Sequence, residues 1–417
     1  MHRSENSSGH WSAVWANSGV AGLSGRSDGP PLPVPQALVH ATVAAAERIA
    51  TASARLGSTV VVDGPALLGE RAALAGLSRN GDISCGGATR LLATADGWIA
   101  VSLARRADLD AVPAWLECGE LPAATDDVWS CVGAAASTRR SSELVERASL
   151  LGMPCAELGE RDATEPPVIA RRLGSWLATQ RTRDLVVVDL SSLWAGPLCA
   201  NLLGLAGARV IKVESTSRPD GARLGPTAFY DLLHSGHESV AIDFGTEVGR
   251  RVLRGLVRRA DIVIEASRPR ALAQLGIVVG ELNGPRLWVS LTGHGRNGAD
   301  RERVAFGDDA AVAGGLVTRD IDGWPCFCAD AVADPCTGLL AAAEVFDKLE
   351  AGGRWLIDIA LSRTAASMAA GPLTTRPGEG GSDDRPAIAP PRARRHAGAA
   401  ASLGEHTDSV LREFGIS

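Results

Sequence analysis

Five short apolar runs, spaced by helix-length stretches, constrain residues 181–370 more tightly than any other feature of the chain. They are Leu185–Leu190, Arg209–Val213, Ser239–Asp243, Asp261–Glu265 and Leu287–Leu291. The first, LVVVDL, is apolar on both faces apart from Asp189, as a strand buried on two sides must be. A turn, Ser191 to Pro197, leads into a helix with Pro197 in its first turn, and a second helix spans Val248–Arg259. Strands alternating with helices of this length predict an α/β fold, a doubly wound, Rossmann-like parallel sheet. Ligands of such sheets sit at the carboxyl ends of the strands, so Asp189–Gly196, Glu214–Asp220 and Glu265–Pro269 are expected to line a cleft.

The flanking sequence divides less sharply. Residues 1–35 are Gly/Ser/Pro-rich and read as a partly ordered segment. Residues 36–180 read as a smaller α/β domain. An Ala-rich helix covers Ala37–Arg55, a short strand Val60–Val62, and a hairpin Ala93–Val101 turns at Asp96-Gly97. Helices are expected at Leu109–Glu117, Ser142–Leu151 and Val168–Thr179. Residues 371–400 form a Pro/Gly/Arg-rich linker, and 401–417 a short helix whose apolar set is Leu403, Val410, Leu411 and Phe414.

Several function classes are excluded. A net charge of −6 and no long basic run argue against nucleic acid as a partner. No stretch of about 18 apolar residues suggests a membrane span, and the start has no apolar leader, so a cytoplasmic location is expected. Eight cysteines, Cys326 and Cys328 among them, lack the paired spacing of a metal site, and none is expected. The first strand turn reads SSLWAGP instead of GxGxxG, which disfavours a dinucleotide although Glu214 ends the second strand where a ribose-binding acid would.

The motifs themselves resemble a known family. Asp189 to Pro197 (DLSSLWAGP), Leu202-Leu203-Gly204, Gly207 to Glu214 (GARVIKVE), His237 to Asp243, Ala260 to Glu265 and Arg268-Pro269 resemble the opening blocks of the family III CoA-transferases, the formyl-CoA and carnitine CoA-transferase group. Ser290 to Gly295 and Asp334 to Leu339 (DPCTGL) resemble the blocks that follow. The remainder is similar in a different order. Ile83 to Ile99 resembles the family's small domain, Leu403 to Asp408 its C-terminal signature, and Ser18 to Pro31 a second copy of the region at Gly314 to Pro325. Asp28 then coincides with Asp322 and Asp63 with Asp358, which reads as a partial internal duplication in a rearranged member.

The resemblance implies transfer of coenzyme A between an acyl thioester and a carboxylic acid, with the CoA thioester as substrate and no permanently bound cofactor. It also implies an interlocked homodimer. Asp322 falls where the family's catalytic aspartate is expected, although in Asp-Ile-Asp-Gly it also reads as a plain turn residue; Asp334 is the second candidate. Contacts to CoA are implied for Leu193, Trp194, Ala195, Ile242, Ser267 and Arg268, with Gly86 and Gly87 standing for a mobile glycine loop. Glu265-Ala-Ser-Arg-Pro269 and the first turn depart from the usual family residues, so a CoA-binding or partner subunit without turnover is the alternative. Racemisation is disfavoured because Ala305 to Asp308 contains no histidine.

Overall fold

The computed structural model describes residues 2–119, 125–178, 181–279, 284–375 and 388–416. Its centre is a seven-stranded sheet. In spatial order the strands are Val168–Gly174, Arg354–Ala360, Leu287–Thr292, Ile262–Glu265, Val186–Leu190, Arg209–Ser215 and Glu238–Ile242. All neighbours run parallel except the first pair, in which Val168–Gly174 lies antiparallel to Arg354–Ala360.

Successive residues of the apolar runs point to opposite faces, as the two-residue period of a strand dictates. Val187, Val210, Ile262, Ile264, Val289 and Ile357 enter one core, beneath the helices Ala195–Leu205 and Ala333–Ala351. Val188, Ile211, Val240, Val263, Trp288 and Leu356 enter the other, beneath Glu247–Arg259 and Pro269–Gln274. The chain winds outward from Val186–Leu190 through two strands, then crosses back to Ile262–Glu265 on the opposite side. The strand order therefore reverses at the carboxyl end of Val186–Leu190, where a crevice forms in folds of this type.

Three expectations need correction. The helix expected over Val168–Thr179 is an edge strand over Val168–Gly174. Six of its residues pair with Arg354–Ala360, and β-branched Val168 and Ile169 suit a pleated surface. Exposed Arg171 and Arg172 blunt that edge against further pairing. Val60–Val62 joins no sheet. The helix expected over Ala37–Arg55 to open the smaller domain spans Gln36–Arg55 and instead packs against Ala333–Ala351. Its Leu38, Val39 and Ile49 share one core with Phe346 and the sheet.

What stands apart as a smaller unit is narrower than expected. A three-stranded antiparallel sheet, Thr89–Ala93, Trp98–Ser102 and Cys155–Glu157, is covered by the helices Arg106–Leu116, Thr125–Ala136 and Ser141–Leu151 around buried Trp115. The N-terminal segment is tied down: Trp15, Val20 and Val34 are buried in the large core. Residues 376–387 of the expected linker lie outside the described residues, while Arg394, beyond them, pairs with buried Glu70. The C-terminal helix spans Thr407–Glu413 and docks by burying Val410, with Leu411 and Phe414 packed at its side, whereas Leu403 of the expected set precedes the helix and stays 39% exposed. Among the described residues no helix is long and apolar enough to cross a membrane.

Because Gln36–Arg55 belongs to the main core, truncating it should weaken the whole sheet. Ile49→Ala is expected to cost about 2–5 kcal/mol, read as a lower urea midpoint in a single transition. Loss of only an early minor transition would mean that this helix folds apart from the sheet.

Candidate active site

Two structures meet at the reversal point. The first is the turn after Val186–Leu190. Leu193 is held at φ 70, a conformation costly for a branched side chain, and its N–H donates to Asp220 Oδ1 at 3.0 Å. Asp220 is fixed in turn by Lys212, whose Nζ donates to Asp220 Oδ2 at 3.0 Å, bonds the Ser191 carbonyl and faces Asp189 at 3.6 Å. Lys212 is buried between these carboxylates. Burial disfavours its ammonium, but Asp189 and Asp220 outweigh that and hold it above the usual lysine range. The result is a rigid turn presenting half-exposed Leu193, with Trp194 and Ala195 buried behind it.

The second structure is the start of the helix Ala333–Ala351, which carries Asp334. Asp309 and Asp330 are fully buried around it, Asp308 is 9% exposed, and Asp334 is the most accessible of the four. Arg71 reaches in from the short helix Glu70–Ala75 and forks Asp330, with Nε to Oδ2 at 2.8 Å and Nη2 to Oδ1 at 2.5 Å. Its guanidinium also lies 5.3 Å from the centre of the Trp194 ring, so it touches both structures. Gly307 must be glycine: a Cβ there would stand 2.7 Å from Asp334 Oδ2 and 2.3 Å from the Ala331 carbonyl. Gly338 lies one turn beyond Asp334, and a Cβ there would meet the Ala195 carbonyl at 2.4 Å. That close approach brings the Leu193–Ala195 turn against the helix of Asp334.

Burial pushes the Asp334 carboxyl up; Arg71 opposes this, Asp308 and Asp330 add to it, and the Gly307 N–H opposes it, leaving Asp334 at about 7. Burial and neighbouring Asp330 likewise raise Asp308 to about 6, against Arg71 and the Ala331 N–H. Several carboxylates around one guanidinium cannot all ionise cheaply, and such arrangements occur preferentially where carboxyl chemistry is done.

The expected site residues separate into two groups. Leu193, Trp194, Ala195 and Asp334 come together, and Gly86 joins them, since a Cβ on it would lie 3.5 Å from Arg71 Nη2. Gly87 follows at φ 80 with open space around it. Asp322 is placed elsewhere, exposed at the tip of the hairpin formed by Val317–Arg319 and Pro325–Phe327. Its N–H donates to Asp320 Oδ1, and its side chain makes no hydrogen bond or ion pair among the described residues. The turn is closed by Asp320, whose Oδ1 also accepts from the Trp324 N–H at 2.9 Å. Ile242 is buried in the second core under Glu247–Arg259, a packing position. Ser267 donates its N–H to Glu265 Oε2 at 2.9 Å, and exposed Arg268 precedes the helix Pro269–Gln274 and lies near Gly152. Glu265 itself is engaged by Ser290 at 2.5 Å and Arg296 at 2.7 Å.

Sequence reasoning missed Arg71, Asp308 and Asp330. The two acids carried a usable signal, since Phe-Gly-Asp-Asp-Ala-Ala and Cys-Ala-Asp-Ala-Val set carboxylates in apolar surroundings that must be buried. Arg71 carried none, because only tertiary packing brings it to the site.

A model of CoA-transferase family III matches residues 183–400. An acyl-CoA transferase of Fusarium pseudograminearum is 29% identical over 206 residues, 44% of this chain and 45% of that protein. The succinyl-CoA–D-citramalate CoA-transferase of Chloroflexus aurantiacus is 33% identical over 152 residues, 34% of this chain and 37% of that protein. A solved CAIB/BAIF family protein from Brucella suis shares 31% identity over 45% of this chain and 54% of its own, with a TM-score of 0.41. The chain thus spans about half the length, or less, of the curated relatives it matches.

The raised Asp334 carboxyl has a consequence for stability. The folded protein holds this proton more tightly than the unfolded chain, whose aspartates titrate near 3.9, so stability falls as pH rises from about 4 to about 7. Asp334→Asn removes that loss. Its urea midpoint should drop less than the parent's between about pH 5 and about pH 8; an equal drop in both proteins would show that Asp334 is not held protonated.

Proposed function

The chain belongs to CoA-transferase family III, and from that premise we propose that it moves coenzyme A from an acyl thioester to a second carboxylic acid, with Asp334 as the nucleophile. The observation that carries the reading is the placement of Asp334. It is the accessible member of a buried carboxylate cluster, one helical turn from the residue that packs on Ala195.

The chemistry follows from the groups present. The Asp334 carboxylate attacks the thioester carbonyl, and the tetrahedral intermediate expels the CoA thiolate to leave a mixed aspartyl–acyl anhydride. The thiolate then attacks the aspartyl carbonyl, releasing the first acid and forming an aspartyl–CoA thioester. The second carboxylate attacks that thioester, giving a new anhydride and free thiolate. Return of the thiolate to the new acyl carbonyl completes the product and frees Asp334. No proton is consumed overall, so the nucleophile need only be ionised and shielded. A carboxyl near 7 is substantially ionised at neutral pH, and its surroundings limit the water that would hydrolyse an anhydride. Backbone N–H groups, that of Gly307 among them, offer donors to the developing oxyanions.

Half-exposed Leu193, backed by buried Trp194 and Ala195, presents the turn against which CoA would lie, with Gly86-Gly87 beside Arg71. The reading includes a cytoplasmic location and a homodimer.

The test is mass spectrometry of the intact protein after brief incubation with members of an acyl-CoA panel, succinyl-CoA first. A covalent CoA adduct should form in the parent and in Asp322→Asn and vanish in Asp334→Asn. An adduct surviving in Asp334→Asn would remove Asp334 from the role, and CoA retained only non-covalently across the whole panel would favour a binding subunit without turnover.

A further inference from the structure

The segment leading to Asp334 is held in an unfavourable conformation. Ala329 at φ 57 and Ala331 at φ 43 both lie in the left-handed region, on either side of buried Asp330. Such a conformation is disfavoured for a residue with a Cβ and persists only where its surroundings impose it. Three side chains do so here. Ser24 Oγ accepts from the Ala329 N–H at 3.1 Å, Asp308 Oδ1 accepts from the Ala331 N–H at 3.1 Å, and Arg71 forks Asp330. The Asp334 N–H closes the turn on the Ala331 carbonyl at 2.9 Å. Two of the three restraints, Ser24 and Arg71, come from outside the 183–400 segment that matches the family.

Building on the transferase reading of Asp334, we propose that Arg71 is a positioning residue for this carboxylate, supplied by the N-terminal part of the chain: it clamps Asp330, fixes the turn that aims Asp334, and provides the cation of the cluster. The geometry suits that role. Nε and Nη2 are committed to Asp330, the guanidinium rests over Trp194, and the Gly86 backbone leaves room beside Nη2. The Arg71 side chain stays 29% exposed while that of Asp330 is fully buried, so the clamp sits at the wall of the site and not deep in the core.

The charges around Asp334 are Arg71 from Glu70–Ala75, Asp308 and Asp309 from Gly307–Ala313, and Asp330 from its own approach. Burial pushes the nearby Cys85 thiol up, so it adds no charge. Arg71 is therefore the single cation among these groups, and the electrostatic consequence has a definite sign. Losing Arg71 makes Asp334 harder to ionise. Losing the Asp330 charge while keeping Arg71 makes it easier.

The experiment follows the Asp334 carboxyl directly, so that it decides whether or not the chain turns over any substrate. Full-length protein labelled with carboxyl-¹³C aspartate is titrated by NMR, the Asp334 signal being identified by its absence in Asp334→Asn. Arg71→Met should move the midpoint up by about one pH unit, a tenfold lower ionised fraction at fixed pH below it. Arg71→Lys, which keeps the charge without the fork, should fall between it and the parent, and Asp330→Asn should move the midpoint down. If Arg71→Met does not fold, the opposed behaviour of Arg71→Lys and Asp330→Asn decides alone. An unmoved midpoint, or shifts in the same direction for the Arg71 and Asp330 variants, would overturn the proposal, since general loosening of the site would affect both alike. Where transfer is measurable, the acid limb of kcat/KM should move with the carboxyl titration.

Discussion

Burying a carboxylate is expensive, and the start of the Ala333–Ala351 helix gathers four of them against one guanidinium. The rest of the molecule is arranged around that cost. Asp309 is turned back to cap its own helix, accepting the Phe306 N–H at 2.8 Å. Asp308 is engaged by the Ala331 N–H and, at 3.4 Å, by Thr89 of the small sheet. Asp330 is neutralised by Arg71. Burial raises the proton affinity of both Asp309 and Asp334, and Asp334 is the more accessible of the two. A carboxyl in that state can ionise near neutral pH yet is poorly solvated when it does, which is what a carboxylate nucleophile requires.

The same constraint explains why the chain is wrapped as it is. The family-matched segment, 183–400, contains the six parallel strands of the sheet, the Leu193–Ala195 turn and Asp334, but without its partner Arg71 the Asp330 charge would be buried alone. Residues from the N-terminal part close the cluster, and the Gln36–Arg55 helix joins the core beside the helix that carries Asp334. Residues 18–31 and 314–325 also touch directly, Arg26 pairing with Asp320 at 2.6 Å. Segments far apart in the chain thus share one continuous core, because the contacts of the carboxylate cluster are made through space.

Much of this was legible in the sequence wherever information was local. Continuous apolar runs such as Leu185–Leu190 gave the strands, and the positions of Asp189, Glu214 and Glu265 at or near strand ends followed from them. Val410, Leu411 and Phe414 announced a docked C-terminal helix through their spacing. Illegible were features fixed by neighbours distant in the chain. Val-Ile-Ala-Arg-Arg-Leu-Gly reads equally as a helix turn until Arg354–Ala360 offers it an edge. The Gln36–Arg55 helix shows an apolar face without saying which core will take it. Asp322 and Asp334 are both acids in family-like motifs, and only the hairpin at 317–327 exposes one while the helix start shelters the other.

The central claim is that Asp334 becomes covalently joined to the substrate, and oxygen bookkeeping tests it most directly. In the proposed sequence the second acid attacks the aspartyl–CoA thioester through its own carboxylate oxygen, and that oxygen stays with Asp334 when the thiolate takes the acyl group. Turnover with an ¹⁸O-labelled acid acceptor, followed by peptide mass spectrometry, should therefore place ¹⁸O in the peptide containing Asp334. Label in the peptide containing Asp322, or active transfer with no label in any aspartate, would contradict the account.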